Sequence, residues 1–254
     1  MNKFGLLVLS ALGVITILLA RLSALIECDM KKIVALSTLS QLGVIFIAFG
    51  STLGNLVLFH LVVHAFFKAL LFIRAGHLIH NMQDYQDLRR IGNASRANPV
   101  SGSMVCLTKA RLCGLPFYSS FYSKEFILER LTTRSSLTIF VYLGIWLGVL
   151  LTVAYSSRFI WLVLRRRRRT STLFSKQEQD RSVVWRIRLL IMPRISAGKF
   201  LHTYLAPHWG VSLESRGSKA SVILLLITGL ILAVGPFFGE TPLTNKGYIW
   251  RLPF

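Results

Sequence analysis

The chain has 254 residues, 53% hydrophobic and 16% charged, with 30 Lys and Arg against 10 Asp and Glu for a formal charge of +20. A mean hydropathy of +0.57 and a charged fraction below the ~25% of ordinary soluble domains exclude a soluble globular protein and a disordered chain, and 18 glycines are too few for collagen. Such a basic excess in a soluble protein would indicate nucleic acid; here it sits between long apolar runs, so it reads as loop charge on one side of a lipid bilayer, with no nucleic-acid partner.

The first apolar run, Phe4 to Ala20, continues weakly through Arg21 to Ile26. A signal peptide is the rival reading, but the run exceeds the usual h-region and no convincing cleavage site follows it. Further runs cover Ile33–Phe49, Leu56–Ile79, Val100–Arg130 (interrupted), Leu137–Leu164, Val183–Ala206 (weak, punctuated by Arg186, Arg188, Arg194 and Lys199) and Ala220–Phe238. Each is expected to be a helix, because lipid offers no partner to an unpaired backbone group. Solid apolar blocks such as Val222-Ile223-Leu224-Leu225-Leu226 lack the alternation a barrel needs. The expected fold is all-α, a polytopic membrane helix bundle.

The fourth run is too long for one straight span: about 31 residues at 1.5 Å each reach ~46 Å, against a ~30 Å hydrocarbon core. It contains Gly114-Leu115-Pro116, and proline removes a donor and clashes with the preceding turn. Two readings stay open: a helix broken near mid-membrane, with freed carbonyls facing protein or water, or a plain proline kink without function.

If the spans alternate, one side carries Lys31, Lys32, Arg89, Arg90, Arg96, the Arg165–Arg169 run, Lys176 and Arg181. The other carries only Lys3, Arg130, Arg134, Arg216 and Lys219, so the first set faces the compartment of synthesis. The arginine run reads as solvated loop charge or a contact with anionic lipid. Cys28, Cys106 and Cys113 show no zinc or redox spacing.

The chemistry-bearing pattern lies in the third run. His60, His64 and Lys68 recur every four residues and so share one helix face. Lys68 falls near the bilayer midplane, where a lysine costs ~2.5–3.5 kcal/mol on insertion scales and is therefore expected to face an interior or aqueous path. Desolvation disfavours the charged ammonium, which lets an amine at that depth release and regain a proton. Histidine titrates near neutrality, so His60 and His64 can relay protons through intervening water. An ion pair with no transport role is the plainer reading of a lone lysine; two imidazoles on its face favour the proton route. A metal site is disfavoured because no carboxylate or thiol lies nearby in sequence. His77 and His80 are expected at the membrane interface. A second cation, Lys124, follows the Gly-Leu-Pro motif with Glu125 adjacent; neighbours in a helix do not face each other, so Glu125 is expected to mark an aqueous exit rather than to pair with Lys124.

These residues also carry a resemblance. The stretch from Asp29 to Gly43 (DMKKIVALSTLSQLG), His64 to Phe72 (HAFFKALLF), Gln86-Asp87-Leu88-Arg89, and Gly114 to Glu125 (GLPFYSSFYSKE) resemble, in order and spacing, the mitochondrial NADH dehydrogenase subunit 5 family. These are antiporter-like subunits at the membrane-arm end of respiratory complex I. The match covers roughly residues 5 to 165; later residues agree only in general character. The resemblance implies the second of two inverted five-helix repeats, with one broken helix, over residues 4–164. A basic matrix-side loop at 165–182 and about two further spans within 183–254 would follow. It implies a subunit of NADH:ubiquinone reductase (H+-translocating) in the mitochondrial inner membrane, multi-pass. Lys68 would be the central channel lysine, His60 and His64 its relay, and Lys124 with Glu125 the exit, Glu125 standing where the family usually has aspartate. No cofactor is expected on this chain, since NADH, FMN, Fe–S clusters and ubiquinone bind other subunits. The expected partners are other membrane-arm subunits of complex I, the lipid bilayer, and a chain or upstream segment carrying the first repeat, which is absent here. Two alternatives remain: a cation/proton antiporter subunit, or a nonfunctional or scaffolding fragment of such a subunit.

The chain departs from the family at Arg21, Arg74 and Arg111, where small or apolar residues are usual, and at Lys109, which replaces a polar or small one; each adds insertion cost. Some invertebrate mitochondria read as serine codons that the nuclear-type code reads as arginine, and that difference is the expected origin of these arginines and of part of the net charge. Sequencing is expected to find only such reassigned codons at positions 21, 74 and 111. Mixed CGN codons there would contradict it.

Overall fold

The computed structural model describes residues 3–82, 84–91, 99–113, 124, 127–128, 130–131, 139–164, 224, 227–229 and 231. Its helices are α1 (Lys3–Ile26), α2 (Met30–Gly50), α3 (Gly54–Asn81), the short α4 (Leu88–Ile91), α5 (Pro99–Cys113) and α6 (Ile139–Leu164). Four of them, α1, α2, α3 and α6, are long and apolar enough to cross a bilayer. The fold is all-helical, and the expected runs at Phe4–Ala20, Ile33–Phe49, Leu56–Ile79 and Leu137–Leu164 each coincide with one of these four helices. The Gly114-Leu115-Pro116 motif, Glu125, the 165–182 loop, the weak 183–206 run and most of the 220–238 run lie outside the described residues.

The first helix includes the weak continuation of its run and ends at Ile26. Arg21 does not interrupt it because its side chain points inward, 3% exposed. Arg74 and Lys109 are likewise buried in protein, at 3% and 0%. The rule that intramembrane charges face the bundle interior therefore accommodates residues that sequence alone marks as misfits.

Helix α2 packs along α1 and against α3, α6 lies against α1 and α5, and α5 lies against α3. The closest approach is α1 to α2. A Cβ on Gly13 would stand 2.8 Å from the Gly43 carbonyl oxygen, and a Cβ on Gly43 would stand 2.8 Å from that of Gly13. Small residues at such a crossing let two membrane helices touch backbone to backbone. At the far end of α2 the chain reverses in a Schellman turn: Leu53 N–H donates to Ala48 O at 3.0 Å and Thr52 N–H to Phe49 O at 2.9 Å. Thr52 takes the left-handed position, φ 60°, where glycine is usual.

The opposite end is tied by hydrogen bonds between segments far apart in sequence. Met30 N–H donates to Gln86 O and Leu88 N–H to Cys28 O, both at 3.0 Å, forming an isolated bridge between Asp29 and Asp87. Arg89 caps the thiol of Cys28 through Nε at 3.1 Å and Nη2 at 2.9 Å. Arg158 of α6 reaches Glu27 O at 3.2 Å. The α1–α2 corner, the 86–89 segment and the later part of α6 thus sit at one end of the bundle. Lys31, Lys32 and Arg89 share that end, as the loop-charge argument required.

Apolar burial falls into two clusters. One gathers Ala24, Val34, Leu71, Leu78, Leu112 and Phe159 towards the tied end. The other gathers Val14, Ile17, Ile47, Phe59, Phe67 and Val141 towards the Schellman turn. The boundary between them is where polar side chains enter.

Gly43→Ala tests the crossing. Its new methyl would meet Thr16 Oγ1 at 2.6 Å and a backbone oxygen at 2.8 Å, and a backbone cannot yield without parting the helices. In the full-length subunit the substitution is expected to cost about 1–3 kcal/mol, read as a lowered thermal unfolding midpoint. Gly5→Ala, which meets nothing within 4 Å, is expected to leave the midpoint unchanged.

Candidate functional site

Lys68 sits at the midpoint of α3 between Phe67 of one apolar cluster and Leu71 of the other. The same level of the other helices carries Arg21 on α1, Ser37, Ser40 and Gln41 on α2, Thr108 and Lys109 on α5, and Thr152 and Ser156 on α6. All of these are buried. Buried polar side chains of five helices therefore gather between the two apolar clusters. Burying polar groups is costly unless they are hydrogen-bonded, so the bonds in this layer define what it can do.

The lysine is 5% exposed. Its Nζ donates to Ser37 Oγ at 2.6 Å and to the Val34 carbonyl at 3.2 Å. Ser37 Oγ in turn donates to Val34 O at 2.7 Å, so the hydroxyl accepts from the ammonium while giving its own proton to the backbone. Both acceptors are neutral. Among the described residues Lys68 has no carboxylate partner: the ion pairs are Lys32 with Asp29 and His80 with Asp84, both outside the layer. An ammonium held only by a hydroxyl and a carbonyl is oriented but not neutralised, and the third N–H direction stays available.

The expected face of α3 is formed. His60 and His64 stack with ring centroids 6.1 Å apart and planes inclined by 22°. His60 is 2% exposed, beside Phe59 of the cluster beyond Lys68, and His64 is partly buried, with no hydrogen-bond partner for its Nε2 among the described residues. The three side chains thus form a file from the mid-depth layer towards the Schellman end. At the other end of α3, His80 lies 4.0 Å from Asp84 on an exposed surface, as an interfacial residue should.

Lys124 has a partner that the sequence explains. Its Nζ donates to the carbonyl of Leu112 in the last turn of α5. In a continuing helix that carbonyl would accept from the residue four positions on, which is Pro116, and proline has no N–H to give. The lysine supplies the donor that the proline removed. Glu125 lies outside the described residues.

Lys109 is 0% exposed, and its Nζ has no hydrogen-bond partner among the described residues. It stands 4.5 Å from the ring centroid of Phe159 and 5.5 Å from that of Tyr155, within the range where an aromatic face attracts a cation. The structure thus brings together Lys68, His60 and His64 as the pattern required, and adds a polar group on α2 that the pattern did not include. A signal for that group was present: Ser37, Ser40 and Gln41 form a polar run inside an apolar span, a placement that membrane helices make only for an interior purpose.

Comparisons with known proteins agree with this architecture. The family model described as NADH:quinone oxidoreductase/Mrp antiporter, TM, matches residues 1–152. NADH-ubiquinone oxidoreductase chain 5 of Geomys personatus is 34% identical over 92% of this chain and 39% of its own length. The protein of the same name from Lumbricus terrestris is 36% identical over 87% of this chain and 38% of its own. That of Ceratotherium simum is 37% identical over 77% and 32%. Among solved structures, a chain of the membrane-bound sulfane sulfur reductase, an archaeal respiratory membrane complex, shares the fold at a TM-score of 0.65 and 20% identity. That likeness covers 88% of this chain and 43% of the other. The chain spans about two fifths of the length of the curated relatives it matches.

Proposed function

The chain belongs to the NADH:quinone oxidoreductase/Mrp antiporter family, and from that membership we propose that it translocates protons as part of a membrane-arm subunit of respiratory complex I. The observation that carries the reading is Lys68: a mid-membrane ammonium, 5% exposed, with neutral acceptors and no carboxylate partner among the described residues. A permanent ion pair would lock its charge. A hydroxyl and a carbonyl leave the proton free to go.

In this mechanism a proton arrives along the imidazole file. His60 hands it to His64, and His64 passes it from its buried Nε2 to the neutral amine of Lys68. A new N–H bond forms on the Nζ lone pair, and the ammonium then donates to Ser37 Oγ and Val34 O. A cation gathering elsewhere in the membrane arm expels the proton again by repulsion, since like charges in a low-dielectric interior interact strongly. Lys124, beside Glu125 in sequence, takes the exit role; its bond to the orphaned Leu112 carbonyl holds the amine at the end of α5. NADH oxidation and ubiquinone reduction, with FMN and Fe–S clusters, belong to other subunits. The mitochondrial inner membrane is the proposed location, and the neighbouring membrane-arm subunits are the proposed partners.

A cation/proton antiporter subunit is the second reading, since the matching family model takes its name from both classes. The relatives covering 87–92% of this chain at 34–36% identity are NADH-ubiquinone oxidoreductase subunits, which supports the first. Dependence of transport on sodium would favour the second.

Lys68→Ala in the full-length subunit, within its membrane complex, is the test. The rate of proton translocation through this subunit is expected to fall by about a hundredfold, the scale on which a positioned proton-transfer group acts, and protons moved per NADH oxidised fall with it. Unchanged stoichiometry would assign Lys68 a structural role.

A further inference from the structure

The tied end of the bundle holds a partly exposed thiol, Cys28, at the corner between α1 and α2. Three guanidinium N–H groups converge on its sulfur: Nε and Nη2 of Arg89 at 3.1 and 2.9 Å, and Nη2 of Arg158 at 3.5 Å. A neutral thiol is a weak acceptor, yet the Arg89 contacts are as short as ordinary N–H bonds to oxygen, although sulfur is the larger atom. Charged acceptors draw donors in to such distances. The thiol's own proton has a poor acceptor, Ile26 O at 3.8 Å. Neither arginine forms an ion pair among the described residues, where the pairs are Lys32 with Asp29 and His80 with Asp84. The other carboxylates of the corner are turned to backbone: Glu27 Oε1 accepts from the amides of Cys28 and Asp29, and Asp87 Oδ1 from that of Arg89. The sulfur is also a joint. Cys28 belongs to the α1–α2 corner, Arg89 to α4 and Arg158 to α6, so a single atom gathers three parts of the chain.

We propose that Cys28 is a modification site for low-molecular-weight disulfides, and that capping its sulfur opens this joint. The thiolate, not the thiol, attacks a disulfide, and neighbouring guanidinium groups favour that form. The Cys28 proton goes to solvent, and the electron pair left on sulfur attacks one sulfur of the disulfide. A new S–S bond forms, the old one breaks, and the departing thiolate takes the electron pair of the broken bond. Cys28 is oxidised and the leaving thiol is reduced, so the disulfide is the whole of the oxidant. The capped sulfur is neutral and carries a bulky substituent, and it can no longer seat the Arg89 fork. The corner then depends on its backbone bonds, Met30 N–H to Gln86 O and Leu88 N–H to Cys28 O, and on Arg158 to Glu27 O. A reductant restores the thiol and the joint. Because this corner helps to set the depth of α2, its opening disturbs the bond from Ser37 to Lys68. That last effect rests on the proposed function, whereas the capping and the opening do not.

The test treats the full-length subunit, in its membrane complex, with glutathione disulfide. Mass spectrometry of the tryptic peptide Leu22–Lys31, which contains Cys28 as its one cysteine, reads the capping. Cys28 is expected to cap about tenfold faster in the wild type than in Arg89→Gln, because the attacking thiolate loses its guanidinium partner. Hydrogen exchange needs no variant. The Met30 and Leu88 amides are expected to exchange faster after capping and to recover with dithiothreitol, while the same treatment leaves Cys28→Ser unchanged. Proton translocation is expected to fall and recover in step. An uncapped wild-type Cys28, equal or faster capping in Arg89→Gln, or capping with unchanged exchange would overturn the proposal. Faster exchange with translocation unchanged would overturn the effect on Lys68 alone and leave the site standing.

Discussion

A charge placed in the middle of a hydrocarbon layer must find its solvation inside the protein, and the bond from Lys68 to Ser37 is where this chain meets that demand. At 2.6 Å it is a short, charge-assisted contact, yet it joins the ammonium to a neutral oxygen. A carboxylate there would bind the charge more strongly and keep it. A hydroxyl binds less strongly and, being both donor and acceptor, can serve the amine in either protonation state. The layer of Ser40, Gln41, Thr152 and Ser156 extends the same compromise across the bundle.

That bond requires α2 to stand at a fixed depth and rotation against α3. The depth is set from both ends. At one, the Schellman turn closes α2 onto α3 within a few residues. At the other, the Asp29–Asp87 bridge, Arg89 on Cys28 and Arg158 on Glu27 O tie the start of α2 to segments on both sides. The rotation is set by the backbone contact of Gly13 with Gly43, which lies within one turn of Ser40 and Gln41. Packing in the apolar clusters above and below then shields the layer from lipid. The chemistry at mid-depth thus depends on glycines and turns that carry no chemistry.

Much of this was legible in the residues. The spacing of His60, His64 and Lys68 can be satisfied on one face only by a helix, and hydropathy gave that helix its length. Pro116 announced an unpaired carbonyl four residues earlier, although not that Lys124 would supply the donor, because a side-chain contact across 12 positions follows from folding rather than spacing. The partners of Lys68 were hidden for the same reason: Ser37 lies 31 positions away, and periodicity within one helix says nothing of which neighbour faces it. Arg21 read as an obstacle to the first span because a hydropathy sum counts charge without direction. The bridge between Asp29 and Asp87 leaves no local pattern, since its two halves are loops.

Family membership supports the proposed setting, a respiratory membrane arm, and the geometry supplies the reason a lysine in that setting can act. The proposed mechanism requires the amine of Lys68 to change protonation state during turnover. Infrared difference spectroscopy of the full-length complex containing nitrogen-isotope-labelled lysine measures this directly, with the Lys68 signal assigned by its loss when that residue is replaced. An ammonium band that disappears and returns as NADH is oxidised is the expected result. A band of constant intensity through turnover would contradict it.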